Sequence, residues 1–218
     1  TQGVSSAASD VYKRQYKKSK LSILNLHARR KPLINHEINE KNMTNVDHYS
    51  ISEVNENATF YVNIERSSPS QSECNIFRNK QKIFSFSTDF FPDFNVLNAC
   101  YSICLLLDQD FFNFQKIDFE RLSLPPGRNN IFITDQKMIV IDFAHNPNAL
   151  ELFVSSYQSA YKGIWTLFGC GGNRDKFKRN KMFKVAKRYS QKIFITSDNS
   201  RFENFNSIVK DMLGEDRF

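Results

Sequence analysis

An α/β fold, Rossmann-like in its second half, is predicted by three features of the sequence. Before residue 90, apolar residues recur with period two. From residue 138 onward, short apolar runs alternate three times with segments of helical spacing. Between these halves Pro125-Pro126-Gly127 breaks the chain, as a domain boundary or hinge would.

Phe60, Val62 and Ile64 alternate with polar neighbours, and so do Phe84 and Phe86 with Ser85 and Ser87, which predicts half-buried strands. Ser67-Ser68-Pro69-Ser70 and Asn79-Lys80-Gln81 supply the turns, so residues 20–90 are expected to form an antiparallel meander. Val96, Cys100, Ile103, Cys104 and Leu107 share one face of a helix. A short helical stretch is expected around Asp118 to Leu122. Met138 to Phe143 is a nearly continuous apolar run, the pattern of a strand covered on both faces. Asn146 and Pro147 suit the cap and first turn of a helix with Leu150, Phe153, Val154, Tyr157 and Tyr161 inward and Gly163 at its end. Ile164 to Phe168 is the next strand, and Lys178 to Tyr189 the next helix, with Met182, Val185, Ala186 and Tyr189 inward. Ile193 to Thr196 and Asn204 to Leu213 complete the third strand–helix unit. Such units joined by short links imply a parallel sheet with right-handed crossovers.

Composition narrows the class. Hydrophobic residues make up 40% of the 218-residue chain and charged residues 24%, which fits a globular protein rather than a disordered one. The longest apolar run, Ile103 to Leu107, is far shorter than a membrane span, and the N-terminus lacks the apolar region of a secretory signal. Four cysteines without CxxC spacing read as reduced, buried thiols rather than a metal site. Much of the +7 net charge lies between Lys13 and Lys31, where no acid occurs. That stretch reads as a solvated lysine-rich surface, with no zinc-finger spacing or RNA-binding aromatic signature beside it. Thr1 to Gln15 is aperiodic and Ser/Ala-rich, and resembles a sequencing or assembly scar.

Ligands of open α/β sheets bind beyond the carboxyl ends of the strands, and the unusual polar residues of this chain are expected there. Asp142, His145 and Asn146 follow the first strand of the second half. Gly169, Gly171, Gly172, Asn173, Arg174, Asp175 and Lys176 follow the second, and Ser197, Asp198, Asn199 and Arg201 the third. Taken singly, each has a structural reading: Asp142 as a helix cap, His145 as a loop histidine, the glycines as a plain turn, Ser197 to Arg201 as a capping loop. The Gly-Cys-Gly-Gly run is neither a dinucleotide fingerprint nor a P-loop. Yet glycines let backbone N–H groups approach an anion that Arg174 could clamp. Asp198 and Arg201 likewise suit the ammonium and carboxylate of an amino acid.

In order along the chain, these clusters resemble the signature of the Mur ligases. Val140 to Leu150 (VIDFAHNPNAL) is similar to the family's VVDYAHTPDAL segment. Phe168 to Lys176 (FGCGGNRDK) and Thr196 to Arg201 (TSDNSR) are similar to FGCGGNRDK and TSDNPR of the tripeptide synthetase branch, which adds the third residue of the peptidoglycan peptide. Phe94 to Ala99 resembles the FNVxNxxA element, and Gly127-Arg128 the GR before the carboxy-terminal domain. The resemblance implies a Rossmann-like C-terminal Mur ligase domain over 128–218, incomplete, preceded over 16–127 by the end of the central ATP-binding α/β domain. Residues 1–15 fall outside it.

The roles implied by the resemblance follow residue by residue. Asn95 and Asn98 would lie near the adenine, Arg128 near the ATP phosphates, Asp142 at the ribose hydroxyls, and His145 beside the nucleotide. Arg174, Asp198, Asn199 and Arg201 would receive the incoming amino acid. In this family an Arg at the position of Arg201 accompanies meso-diaminopimelate, whose second carboxylate needs a cation; lysine-adding relatives lack it. The implied chemistry is amide formation in the cytoplasm. ATP phosphorylates a carboxylate of UDP-MurNAc-L-Ala-D-Glu, the amine displaces phosphate, and Mg2+ bridges the phosphates. Nucleic acid and membrane are not implied as partners.

The chain departs from the pattern at several points. Ser200 replaces the usual Pro, Asp93 stands where Gly is usual, and Asn180 lies in a loose match to a GKRP run. Asn146 replaces Thr, as in folylpolyglutamate synthases, which makes a ligase of that kind one alternative. No GxxxxGK[ST] occurs, and no lysine matches the family's carbamylated residue. Catalytic and metal residues are therefore expected upstream of residue 1, and the piece alone is expected to be inactive. A catalytically silent module binding an anion or RNA is the alternative from another class.

Overall fold

The computed structural model describes residues 31–39, 48–107, 122–134 and 137–215, together with Gln15, Lys18, Ser19 and Ser22. Most of the basic stretch, the scar-like start and, but for Leu122, the helix expected around Asp118 lie outside the described residues. The chain divides into two units, Thr1–Leu122 and Ser123–Phe218.

In the first unit, β1 (Leu33–Asn35), β2 (Tyr49–Ser52), β3 (Phe60–Ser67), β4 (Ser72–Arg78) and β5 (Gln81–Thr88) form one sheet in that order. β3, β4 and β5 pair antiparallel, as the short turns between them predict. Asn79 and Lys80, at φ +50 and +64, make the tight turn between β4 and β5. Ser68 closes the preceding turn through backbone and hydroxyl bonds to Gln71 O. β1, β2 and β3 instead pair parallel, so the sheet is mixed rather than a meander throughout. Period two encodes which face a residue occupies, not strand direction, and β1 and β2 have only three and four residues to show it. After β1 comes the single turn α1 (His36–Asn39).

Phe60, Val62, Cys74 and Ile76 are wholly or almost wholly buried, with α2 (Asp93–Leu107) packed on β3 and β4. The buried face of α2 carries Val96, Cys100, Ile103 and Cys104 from the stripe read from the sequence, plus Asn95, while Leu107 of that stripe is only half-buried. Cys74 and Cys100 sulfurs lie 3.4 Å apart. That contact, with burial, raises the Cys100 thiol, and burial pushes Cys104 up to about 12. All four cysteines of the chain are buried and free.

The second unit opens with a hairpin, β6 (Asn130–Thr134) antiparallel to β7 (Lys137–Ile141). α3 (Pro147–Gln158) leads to β8 (Trp165–Phe168), α4 (Phe177–Tyr189) to β9 (Lys192–Ile195), and α5 (Phe205–Leu213) follows. β8 and β9 pair parallel, Trp165 opposite Lys192 and Phe168 opposite Ile195. Among the described residues β7 pairs with β6 and not with β8, so the expected three-stranded parallel sheet is realised by two strands. Leu150, Val154, Cys170, Met182, Ile208 and Met212 form the core under β8 and β9, with Phe153, Phe168, Val185 and Ile195 packed against it. Asn146 caps α3 as expected, its side chain accepting from Ala149 N at 2.9 Å, with Pro147 in the first turn.

Two expectations are corrected here. Ile139 and Ile141 are 53% and 50% exposed, so β7 is covered on one face only. An unbroken apolar run cannot distinguish a strand buried on both faces from one with an apolar face left open. α3 stops at Gln158, not at Gly163, and Tyr161 is exposed. Ser155, Ser156 and Ser159 bend their hydroxyls back onto Leu152 and Ser156 carbonyls, competing with the helical ladder where it ends.

Candidate functional site

The two loops that follow β8 and β9 are in intimate contact. Gly172 N donates to Asn199 O at 2.9 Å, Thr196 N to Phe168 O at 3.1 Å, and the Arg201 guanidinium to Gly172 O. Phe202 N reaches Asn173 Oδ1 at 3.3 Å. Approach this close needs glycine: a Cβ at Gly172 would stand 1.9 Å from Ser200 O, and one at Gly169 2.4 Å from Thr196 O. Asn173 and Arg201 adopt left-handed backbone, φ +50 and +49, which turns each loop sharply beside its arginine. Arg174, Asp198, Asn199 and Arg201 are all exposed on this paired rim. Asp198 Oδ1 accepts from the adjacent Asn199 N at 2.7 Å, which orients the carboxylate.

Beneath the rim is an ion cluster that the sequence reading missed. Arg179, from the first turn of α4, is 0% exposed. Its Nη1 donates to Glu203 Oε1 and Asp211 Oδ2, each at 2.7 Å, and its Nη2 to Glu203 Oε2 at 2.8 Å and Gly171 O at 3.0 Å. Glu203 also takes Asn173 N–H at 2.9 Å and lies 3.1 Å from Lys176 Nζ. The Arg179 guanidinium, helped by the Asn173 N–H, holds the Glu203 carboxyl far below the usual carboxylate range, and Glu203 in turn raises Arg179. One signal was available: Arg179 falls on the Met182–Ala186 stripe of α4, and a cation on a buried stripe demands partners.

A second group lies around the hairpin. Asp142 Oδ2 accepts from Asn129 N at 3.0 Å, so Asp142 serves the preceding loop and does not cap α3. Asn129 is buried at φ +48, and its Oδ1 accepts from Tyr157 OH at 2.6 Å. Burial raises the Tyr157 hydroxyl and keeps it a donor. The Arg128 guanidinium lies 5.2 Å over the Phe143 ring, whose centroid is 5.4 Å from that of His145. Arg128, Asp142 and His145 are thus one neighbourhood: a cation, an aromatic edge and a carboxylate, suited to an anionic, hydroxyl-bearing ligand. Lys178 Nζ donates to His145 O at 2.7 Å and links this group to the first turn of α4.

Asn95 and Asn98 belong to the first unit. Asn95 is buried, its amide donating to Phe91 O at 2.9 Å across the start of α2, which occupies it structurally. Asn98 is exposed. Among the described residues no group of three or more His, Cys, Asp or Glu could hold a metal ion, so none is assigned to Mg2+. No helix among them is long and apolar enough to cross a membrane.

Residues 127–217, which carry both groups, match the family described as Mur ligase, glutamate ligase domain. This part of the chain belongs to the Mur ligase family. The chain is 38% identical over 130 residues to UDP-N-acetylmuramoyl-L-alanyl-D-glutamate--2,6-diaminopimelate ligase of Wigglesworthia glossinidia brevipalpis, covering 58% of this chain and 26% of the relative. It is 36% identical over 174 residues to the ligase of the same name from Prochlorococcus marinus subsp. pastoris, covering 74% of this chain and 33% of the relative. The chain spans about a quarter to a third of the length of these curated relatives. In fold it is similar to UDP-N-acetylmuramate-alanine ligase MurC from Thermotoga maritima, with a TM-score of 0.55 and 15% identity over 75% of this chain and 36% of that one. Mur ligases are ATP-dependent amide ligases of peptidoglycan synthesis, and the paired loops and the hairpin group lie within the matched segment.

Proposed function

We propose that this chain supplies the amino-acid site and part of the nucleotide site of a cytoplasmic Mur ligase that adds meso-diaminopimelate to UDP-MurNAc-L-Ala-D-Glu. In this reading residues 16–127 belong to the central ATP-binding domain and residues 128–218 to the carboxy-terminal domain. The observation that carries it is the rim of the paired loops, where Asp198 and Arg201 lie beside Gly171, Arg174 stands exposed on the same loop as Gly171, and only glycine permits the two loops to approach so closely. An amino acid with a zwitterionic head and a second carboxylate needs one anionic and two cationic partners, which this rim provides. Asp198 would hold the ammonium, and Arg174 and Arg201 the carboxylates. Around the hairpin, Asp142 has Oδ1 available for a ribose hydroxyl while Oδ2 is held by Asn129 N. Arg128, stacked on Phe143, would meet the phosphates, and His145 would flank the nucleotide. The names of the relatives support the same substrate. ATP would activate the dipeptide carboxylate, with Mg2+ neutralising its phosphates; the described residues account for holding and orienting the reactants.

The test is an NMR titration of the 218-residue chain with meso-diaminopimelate and, separately, L-lysine. Saturable shifts of the Gly172, Asn173 and Arg201 amides by diaminopimelate, with weaker ones by lysine, are expected. Equal responses to both would refute the assignment of Arg201, and no response to either would refute the amino-acid site.

A further inference from the structure

We propose that the Arg179–Glu203 pair is a positioning device for the amino-acid site, locking the two loops at the spacing that lets Arg174, Asp198 and Arg201 engage one ligand. The inference rests on the amino-acid reading above. A guanidinium wholly removed from water is costly, and well-packed apolar residues would stabilise the same space as well or better. What an apolar side chain lacks is direction. The fork of Arg179 grips both oxygens of Glu203 while the same Nη2 meets Gly171 O, so a single side chain of α4 touches both loops. Glu203 extends the grip through Oε2 to the Asn173 backbone N–H. Asn173 immediately precedes Arg174, and Glu203 lies two residues after Arg201. Arg179 Nε, buried, finds no partner among the described residues. The guanidinium is therefore oriented by the loops and not by fullest satisfaction of its own donors.

Asp211 provides the internal control. It sits on α5 and takes only Nη1 of Arg179, so it balances charge without touching either loop. A merely structural cluster would make Glu203 and Asp211 equivalent; a positioning device makes them different. The 218-residue chain is compared with its Glu203→Gln and Asp211→Asn variants by melting temperature, by amide hydrogen exchange at Gly172, and by affinity for meso-diaminopimelate. Both variants should melt lower. Only Glu203→Gln should speed exchange at Gly172 and weaken diaminopimelate binding, each on the order of tenfold, because loops set wrongly by a fraction of an ångström lose aligned contacts. Asp211→Asn should leave both within about twofold of the parent. Arg179→Lys keeps the central charge and removes the fork, so it should follow Glu203→Gln and serves if that variant does not fold. Gly172 exchange unchanged in both Glu203→Gln and Arg179→Lys, or equal binding losses in Glu203→Gln and Asp211→Asn, would overturn the proposal. If the parent chain itself takes up no diaminopimelate, the amino-acid reading falls, and Gly172 exchange still decides whether the clasp sets the loop spacing.

Discussion

Gly171 and Gly172 are adjacent in one loop, yet an added methyl group should act oppositely at each. At Gly172 the new Cβ would lie 1.9 Å from Ser200 O, 2.7 Å from Ser200 C and 3.0 Å from Glu203 Cβ. Two of these are backbone atoms, so no rotamer change relieves the clash, and the loops must part by about 1 Å. Parting them strains Gly172 N to Asn199 O, Arg201 to Gly172 O, and Asn173 N to Glu203. At about 1 kcal/mol for each such bond, and somewhat more for the charged ones, Gly172→Ala should cost roughly 2–4 kcal/mol. At Gly171 the nearest atoms would be Arg201 Nη1 at 3.5 Å and Asn199 O at 3.6 Å, ordinary contacts, and φ is not in the left-handed region. Gly171→Ala should therefore be neutral or stabilise by about 0.5 kcal/mol, through a less flexible unfolded chain. Urea unfolding monitored at Trp165 reads the second unit for both variants. Gly172→Ala should lower the midpoint markedly and Gly171→Ala should not. Equal effects, or an undisturbed Gly172→Ala, would refute the claim that contact between the loops is what demands glycine.

Two further outcomes follow from the clusters. Because Arg179 and the Asn173 N–H hold Glu203 ionised, the unfolded chain takes up a proton there before the folded one does, below about pH 4.3. The stability Glu203 contributes is thus complete above that pH and lost as pH falls toward its folded value. The melting gap between the parent and Glu203→Gln should be constant from pH 7 to 5 and narrow below 4; a gap unchanged to pH 2.5 would contradict it. Tyr157→Phe removes the donor to Asn129 Oδ1 inside the second unit and leaves that buried acceptor unpaired. A loss of about 1–3 kcal/mol is expected by denaturant titration, with faster exchange at Asn129 N, the group that holds Asp142. Loss of stability without that faster exchange would show the two bonds to be uncoupled.

The local elements were legible in the sequence because their signals are local. The Asn146-Pro147 start of α3, the apolar stripe of α2, the β4–β5 turn and the three polar clusters each depend on residues within a few positions of one another. The motifs carried the family as well, and the structure links the clusters after β8 and β9 backbone to backbone. What the sequence could not carry was pairing over distance. Strand period says nothing of direction, so the parallel start of the first sheet and the β6–β7 hairpin emerged only in three dimensions. Arg179 looked like one more basic residue on a basic helix, because its partners Glu203 and Asp211 lie 24 and 32 residues further along. The sequence by itself determined the local elements and the order of the polar clusters between them. Tertiary structure alone decided which charge is withdrawn from water to hold their loops together, since the cost of burying a cation depends on where its counter-ions arrive.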